Sequence, residues 1–144
     1  MIHEVLSRDD FQRCFSLFSD LLKDEGLPPI PFDVSYANFE KAQSFGYRQL
    51  YATNGNIVTG VLGLRPFYDP LEVHPGFEIN NFIVAPAFRS GAVALALIRH
   101  AEKLIRESGG AWIRGMVMLS KPQVKKVYAR FGYEHTHDHV YKDL

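Results

Sequence analysis

The stretch that decides the fold is residues 76–109, which read GFEINNFIVAPAFRSGAVALALIRHAEKLIRESG. Residues 77–84 are rich in β-branched and aromatic side chains, and Pro86 ends that run, as is typical of a buried strand. A sustained helical pattern of apolar residues begins directly after Ser90 and Gly91. The stretch therefore predicts a strand, a sharp turn, and a helix that begins in small residues.

The predicted turn has the features of an anion-binding site. The start of a helix carries several unpaired backbone N–H groups and the positive end of the helix dipole. Arg89 can add a bidentate positive charge, and small side chains let a bulky phosphate approach the backbone. Those small residues are Ser90, Gly91, Ala92 and Ala94. The pattern indicates a site for a phosphorylated cofactor, although an ordinary strand-to-helix turn would look the same.

Composition narrows the class of protein. A chain of 144 residues with 47% hydrophobic side chains predicts a single domain over residues 1–144 with a real core. Sixteen basic and sixteen acidic residues leave no basic surplus, which argues against nucleic-acid or anionic-membrane partners. Cys14 is the only cysteine, so no internal disulfide forms and a reducing, cytoplasmic location is expected.

Turn and capping signals place the remaining elements. The elements predicted before the central segment are a strand at 2–6, a helix capped by Ser7, a helix at 34–45, and a hairpin of strands 47–53 and 57–65 around Asn54-Gly55-Asn56. Those predicted after it are a strand at 111–119, a helix capped by Ser120 and ending near Arg130, and a terminal strand or hairpin at 133–143.

Two motifs in this order of elements resemble the GNAT superfamily of acyl-CoA N-acyltransferases. That family's pattern is Gln/Arg-x-x-Gly-x-Gly/Ala, and residues 89–94 read Arg-Ser-Gly-Ala-Val-Ala, with Ala92 at the first expected glycine. The second motif, KKVYARFGYE at 125–134, is similar to the family's last helix. The resemblance implies an α/β fold with a mixed, mostly antiparallel central sheet. About four helices would flank this sheet, which would be splayed at the cofactor-binding strand.

The resemblance also implies acetyl-CoA as cosubstrate, with no metal. Its pyrophosphate would lie on the predicted turn, and its pantetheine amides would pair with the splayed strand, where one N–H would stabilise the oxyanion. The residues assigned to the cofactor are Phe82, Ile83, Val84, Arg89, Ser90, Gly91, Ala92, Val93 and Ala94.

Two residues are candidates for the chemistry. Glu78 lies eleven residues before Arg89, a spacing similar to that of the base glutamate in some family members, and would act through a water. Tyr128 matches the family tyrosine near the cofactor sulfur and would act as the acid. The alternatives are a salt-bridged strand glutamate and a core tyrosine.

The acceptor side is less specific. Acidic and aromatic residues together suit a cationic amine, and those in the segments that cover the acceptor groove are Phe32, Tyr36, Phe67, Tyr68, Asp69, Glu72 and His74. A second departure from the family is Lys121, where many relatives have Asn.

The predicted function is acetyl-CoA-dependent N-acetylation of a primary amine of a small molecule, by direct transfer. Alternatives are a protein lysine or N-terminal acetyltransferase, and a non-catalytic CoA-binding module, which Ala92 and Lys121 would favour. A third is a metal-binding module, because His135, His137 and His139 would share one face of a straight strand. A homodimer is left open.

Overall fold

The computed structural model describes residues 1–117, 121–137 and 140–144. The strands in these ranges are β1 (Ile2–Glu4), β2 (Arg48–Asn54), β3 (Ile57–Phe67), β4 (Gly76–Val84) and β5 (Trp112–Gly115). The α-helices are α1 (Arg8–Asp24), α2 (Phe32–Ser44), α3 (Ala92–Glu107) and α4 (Pro122–Arg130), and a single 3₁₀ turn at Pro86–Phe88 lies between β4 and α3.

The strands form one sheet whose spatial order follows the chain, β1-β2-β3-β4-β5. Neighbouring strands are antiparallel except for β4 and β5, which are parallel and connected through α3. Pairing between β4 and β5 covers only Gly76–Ile79, although β4 continues to Val84. Beyond Ile79 the two strands therefore part, and the predicted mixed, mostly antiparallel, splayed sheet with four helices is confirmed.

Each face of the sheet has its own apolar core. On one face, Leu62 and Ile79 pack with Leu97 of α3. On the other, Val61 packs with Phe11 and Cys14 of α1, in a cluster that extends to α2. Burial raises the pKa of the Cys14 thiol to about 12, so this residue is a poor nucleophile.

Local signals set several boundaries as expected. Ser7 caps α1, because its hydroxyl accepts from the backbone N–H of Asp10 while the Asp10 carboxylate accepts from the N–H of Ser7. The Asn54-Gly55-Asn56 turn joins β2 and β3, with Gly55 at φ 57°. Gly109 at φ 78° follows the end of α3.

The end of the chain differs from the prediction. Among the described residues at 133–137 and 140–144 no strand forms, so the predicted terminal strand or hairpin is wrong there. Residues 134–137 are polar and exposed, and they offer no apolar face for a sheet to bury. Ser120, the predicted cap of the last helix, lies outside the described residues, and α4 begins after Lys121. No helix in the described part of the chain has the length and apolarity to cross a membrane.

Candidate active site

Strand β4 carries a bulge close to where it leaves β5. Leu62 of β3 stands opposite both Asn81 and Phe82, and Asn81 has φ 49°, a conformation uncommon outside glycine. The bulge follows Ile79, the last residue of β4 that pairs with β5. Residues 82–84, assigned to the pantetheine amides, therefore lie on an edge of β4 that has no strand partner on the β5 side in the described part of the chain.

A partly buried tyrosine, Tyr47, supports the bulge from the α1 side of the sheet. The Asn81 side-chain amide donates to the Tyr47 hydroxyl at 3.0 Å, and that hydroxyl donates to Gln49 at 2.7 Å. A Cβ atom at Gly63 would lie 2.0 Å from the Tyr47 oxygen, so only glycine fits there. The bent strand is thus held by side chains as well as by its ladder of backbone hydrogen bonds.

The α3 turn, residues 89–94, has the geometry that the sequence predicted. Gly91 is the N-cap of α3 at φ 97°, a left-handed conformation that favours glycine, although a Cβ there would meet no atom within 4 Å. No side chain caps this helix start. Its first N–H groups, which include those of Val93 and Ala94, have no partner within the helix and can receive an anion.

Arg89 is held in place by two contacts. Its Nε donates to the carbonyl oxygen of Val84 at 2.8 Å, and its Nη2 lies 3.5 Å from a carboxylate oxygen of Asp24, the last residue of α1. The side chain remains about half exposed. An anion on the α3 turn would therefore compete with Asp24 for part of the Arg89 guanidinium.

Tyr128 of α4 lies at the point where β4 and β5 part. A Cβ atom at Gly115, the last residue of β5, would be 2.5 Å from the Tyr128 ring, and the Phe82 ring is 6.5 Å away between centroids. Burial raises the pKa of Tyr128 to about 12, so the phenol is protonated at neutral pH. Its hydroxyl makes no hydrogen bond to a described side chain, which leaves it available to a ligand.

Glu78 lies in the middle of a row of charges that crosses three strands. In the sheet register, Arg65 of β3 lies opposite Glu78, and Glu78 lies opposite Arg114 of β5. The glutamate is 3% exposed. One of its oxygens accepts from Arg65 Nη2 at 2.8 Å, and the other accepts from Arg114 Nε at 2.9 Å. These three residues are called the Arg–Glu–Arg row below.

The surroundings of Glu78 bear on its predicted role as base. Oε1 accepts from Arg65 and from the Asn80 side-chain amide, and Oε2 lies within 2.9 Å of two Arg114 nitrogens, so the acceptor sites of Glu78 are occupied and a water would have to displace a donor. Its neighbours Phe77 and Ile79 pack in the same core as Tyr128, which places the Glu78 side chain on the opposite face of the sheet. The assignment of Glu78 as base stays a prediction. Its contacts are those of the alternative, a salt-bridged strand glutamate.

Aromatic rings lie beside the Arg–Glu–Arg row. The Arg114 guanidinium is 4.5 Å from the centroid of Phe67 and 5.6 Å from that of Trp112. The Trp112 indole N–H donates to Glu72 at 2.5 Å. A Cβ atom at Gly76 would lie 1.9 Å from the Trp112 ring, so glycine lets this ring lie across β4 toward Phe67.

The residues of the acceptor prediction lie in two different regions, and their role stays a prediction. Phe67 and Glu72 do join this surface, whereas Phe32 and Tyr36 pack against Phe11 in the α1–α2 core. The sequence reasoning did not single out Arg65, Arg114 and Trp112. Each lies in a segment predicted as a strand, but only the register between strands brings them together.

The histidines near the C-terminus provide no metal centre in the described residues. His139 and the neighbouring Asp138 lie outside those residues, and no group of three or more possible ligands occurs among the rest. His135 Nδ1 lies 3.2 Å from the Lys125 ammonium.

Comparison with known structures places the fold. A probable acetyltransferase is 20% identical, with a TM-score of 0.85 over 100% of this chain and 96% of the other. A predicted acetyltransferase with acetyl-CoA from Clostridium acetobutylicum is 18% identical, with a TM-score of 0.76 over 99% and 96%. An aminoglycoside acetyltransferase from an uncultured soil metagenomic sample, in complex with sisomicin, is 15% identical, with a TM-score of 0.80 over 100% and 95%.

Comparison of sequences identifies the family. No match was found among curated protein sequences. The model of the acetyltransferase (GNAT) family matches residues 8–133, which is most of the chain and includes both the α3 turn and Tyr128. The chain therefore belongs to the GNAT family of acetyltransferases and is an acyltransferase.

Proposed function

We propose that this protein transfers an acetyl group from acetyl-CoA directly to a primary amine of a small molecule. The observation that carries the proposal is the position of Tyr128 at the parting of β4 and β5, beside the open edge at residues 82–84. The similar structures described as binding acetyl-CoA and an aminoglycoside support a thioester donor and a small amine acceptor. A cytoplasmic location remains part of the proposal.

The backbone would hold the donor. The N–H groups at the start of α3, helped by Arg89, would bind the pyrophosphate, and the open edge of β4 would pair with the pantetheine amides. One N–H among residues 82–84 would donate to the carbonyl oxygen as negative charge develops on it. Because the methyl of Ala92 points from an exposed position at the helix start, it would touch the phosphate without removing any of these donors.

Tyr128 would assist the departure of the thiolate. In the transfer, an N–C bond forms, the C–S bond breaks, the amine loses one proton and the sulfur gains one. A thiol has a pKa of about 8.5, whereas burial raises the pKa of Tyr128 to about 12. The phenol would therefore act as the acid chiefly by donating a hydrogen bond to the sulfur as negative charge develops there.

The amine proton has two proposed routes. In the first, Glu78 accepts it through a water, as the resemblance implies. In the second, the proton passes to solvent and Glu78 instead positions Arg65 and Arg114. We favour the second because both Glu78 oxygens already accept guanidinium donors.

Acetyl-CoA titration and thiol release test the proposal in sequence. Acetyl-CoA should raise the melting temperature of the protein, and a panel of small primary amines should then give thiol release with at least one member. Thiol release with lysine peptides alone would support the protein-acetylating alternative. Binding without turnover on any acceptor would support the non-catalytic module, and no binding at millimolar acetyl-CoA would refute the proposal.

A further inference from the structure

We infer that the amine acceptor carries an anionic group, a carboxylate or a phosphate, and that Arg65 and Arg114 bind it. The inference rests on the proposed function and adds a substrate class to it. Its starting point is the Arg–Glu–Arg row, whose two guanidinium groups lie at a partly open surface near the parting of β4 and β5.

The row carries an excess positive charge. Among the described residues, both Arg65 and Arg114 form ion pairs with Glu78 alone, so two guanidinium groups share one carboxylate. Glu72 accepts from the indole of Trp112, whose ring lies beside Arg114, and among the described residues it forms no ion pair with either arginine. The carboxylate is buried, whereas the two arginine side chains are 54% and 46% exposed. The surplus charge therefore faces solvent.

The two arginines are also held in fixed positions. A guanidinium has five N–H donors in a planar fork; Arg65 contacts Glu78 through Nη2, and Arg114 contacts it through Nε and Nη2, which leaves further N–H donors on each group. Arg114 is further restrained because it lies over the Phe67 and Trp112 rings. Donors that are already oriented lose little freedom when they bind a carboxylate or phosphate.

The distance to the reacting centre suits a small molecule. Glu78 and Arg114 pair one row before Ile79, where β4 and β5 part. Since a strand advances about 3.3 Å per residue, the row lies roughly 13 Å along β4 from Phe82, the nearest residue assigned to the cofactor. An acceptor with its amine at that edge and its anion on the row would span roughly 10–13 Å, the length of a small metabolite.

Matched amines test the specificity. 8-Aminooctanoate and 8-aminooctanamide form the carboxylate pair, and 7-aminoheptyl phosphate and 7-aminoheptan-1-ol form the phosphate pair. At least one anionic member should have a kcat/KM roughly 10- to 100-fold above that of its neutral partner. Arg114→Gln and Arg65→Gln should each reduce that ratio by about tenfold or more, and Arg106→Gln, a change at an exposed arginine of α3, should leave it unaltered.

A binding measurement separates this inference from the proposed function. Inorganic phosphate or propionate should raise the melting temperature of the wild type and of Arg106→Gln more than that of Arg65→Gln or Arg114→Gln. Circular dichroism checks that each variant is folded. If Arg114→Gln does not fold, Arg114→Lys, which keeps the positive charge, takes its place and should show part of the wild-type thermal shift. Equal shifts in all variants overturn the inference, whether or not any amine is acetylated. Acetylation with equal kcat/KM for both members of each pair overturns it too and leaves the proposed function standing.

Discussion

The α3 turn and the Arg–Glu–Arg row are two candidate binding regions built in different ways. The turn takes its donors from the backbone of consecutive residues, 89–94, at a helix start that no side chain caps. The row takes its donors from side chains on three strands, β3, β4 and β5, which meet only through the sheet register. The α3 turn depends on the path of the backbone, whereas the Arg–Glu–Arg row depends on the side chains at positions 65, 78 and 114.

In the roles proposed for the two regions, this difference separates the choice of donor from the choice of acceptor. Most substitutions at the α3 turn leave its N–H groups in place, so the turn keeps its capacity for a pyrophosphate. A substitution at Arg65 or Arg114 changes the charge of the row at once and does not alter the turn. The same scaffold can therefore accept new amines while the proposed acetyl-CoA site is retained, and the three variants below test this separation.

Tyr128→Phe should have the largest effect, because the proposed acid lies beside Phe82 and the open edge of β4, where the transfer is proposed to occur. The change keeps the ring that packs on Gly115 and removes only the hydroxyl. We expect kcat to fall roughly 10- to 1000-fold with little change in acetyl-CoA affinity. Steady-state kinetics and melting temperature on one preparation decide the matter. Full activity in a variant destabilised by about 1 kcal/mol would show a structural hydroxyl instead.

The pKa of Tyr128 adds a pH test to this variant. Burial raises the pKa to about 12, above the value near 10 of an unfolded tyrosine. The stability that the buried neutral phenol contributes is complete below pH 10 and is lost as the pH rises through about 12. Tyr128→Phe should therefore lose less stability than the wild type between those pH values, and wild-type kcat should show no loss from this group below pH 10.

Gly91→Glu should affect the α3 turn and leave the row intact. It places a negative charge at the helix start, where the proposed pyrophosphate would lie. Acetyl-CoA at about 100 times its Kd should stabilise the wild type by about 2.7 kcal/mol, measured as a thermal shift, and should stabilise this variant hardly at all. Gly91→Ala is the matched control, because it imposes the same φ 97° on a side chain without adding charge. If acetyl-CoA shifts the melting temperature of Gly91→Glu as much as that of the wild type, the pyrophosphate does not bind at this turn.

Glu78→Gln should have the smallest effect on turnover and acts on the row alone. In the favoured role, the loss of an anion that both guanidinium groups contact lowers the free energy of unfolding by about 2 kcal/mol. We expect kcat at pH 7 to stay within about tenfold of the wild type, with a similar ratio at pH 9. A fall of about 100-fold at pH 7 that recovers at pH 9 would establish Glu78 as the base instead.

The sequence was sufficient wherever a feature is local. Gly91 and the small residues after it predicted the α3 turn, and Ser7 with Asp10 predicted the start of α1, since a turn or a cap is determined by neighbours in the chain. The contacts of Glu78 could not be predicted, because Arg65 is 13 residues away and Arg114 is 36 residues away. The terminal strand was predicted from the end of the last helix, a local signal that does not show whether the following residues, polar and exposed at 134–137, have a face to bury.

The contact between Gly76 and Trp112 restricts the order in which these two positions can change during evolution. Any side chain at 76 would collide with the indole ring, so position 76 can vary only after a smaller residue has replaced Trp112. If position 76 changed first, its new side chain would overlap the Trp112 ring and disturb the packing there. Among homologous sequences, we therefore expect residues other than glycine at 76 to occur together with a small residue at 112, and a tryptophan at 112 to occur with glycine alone.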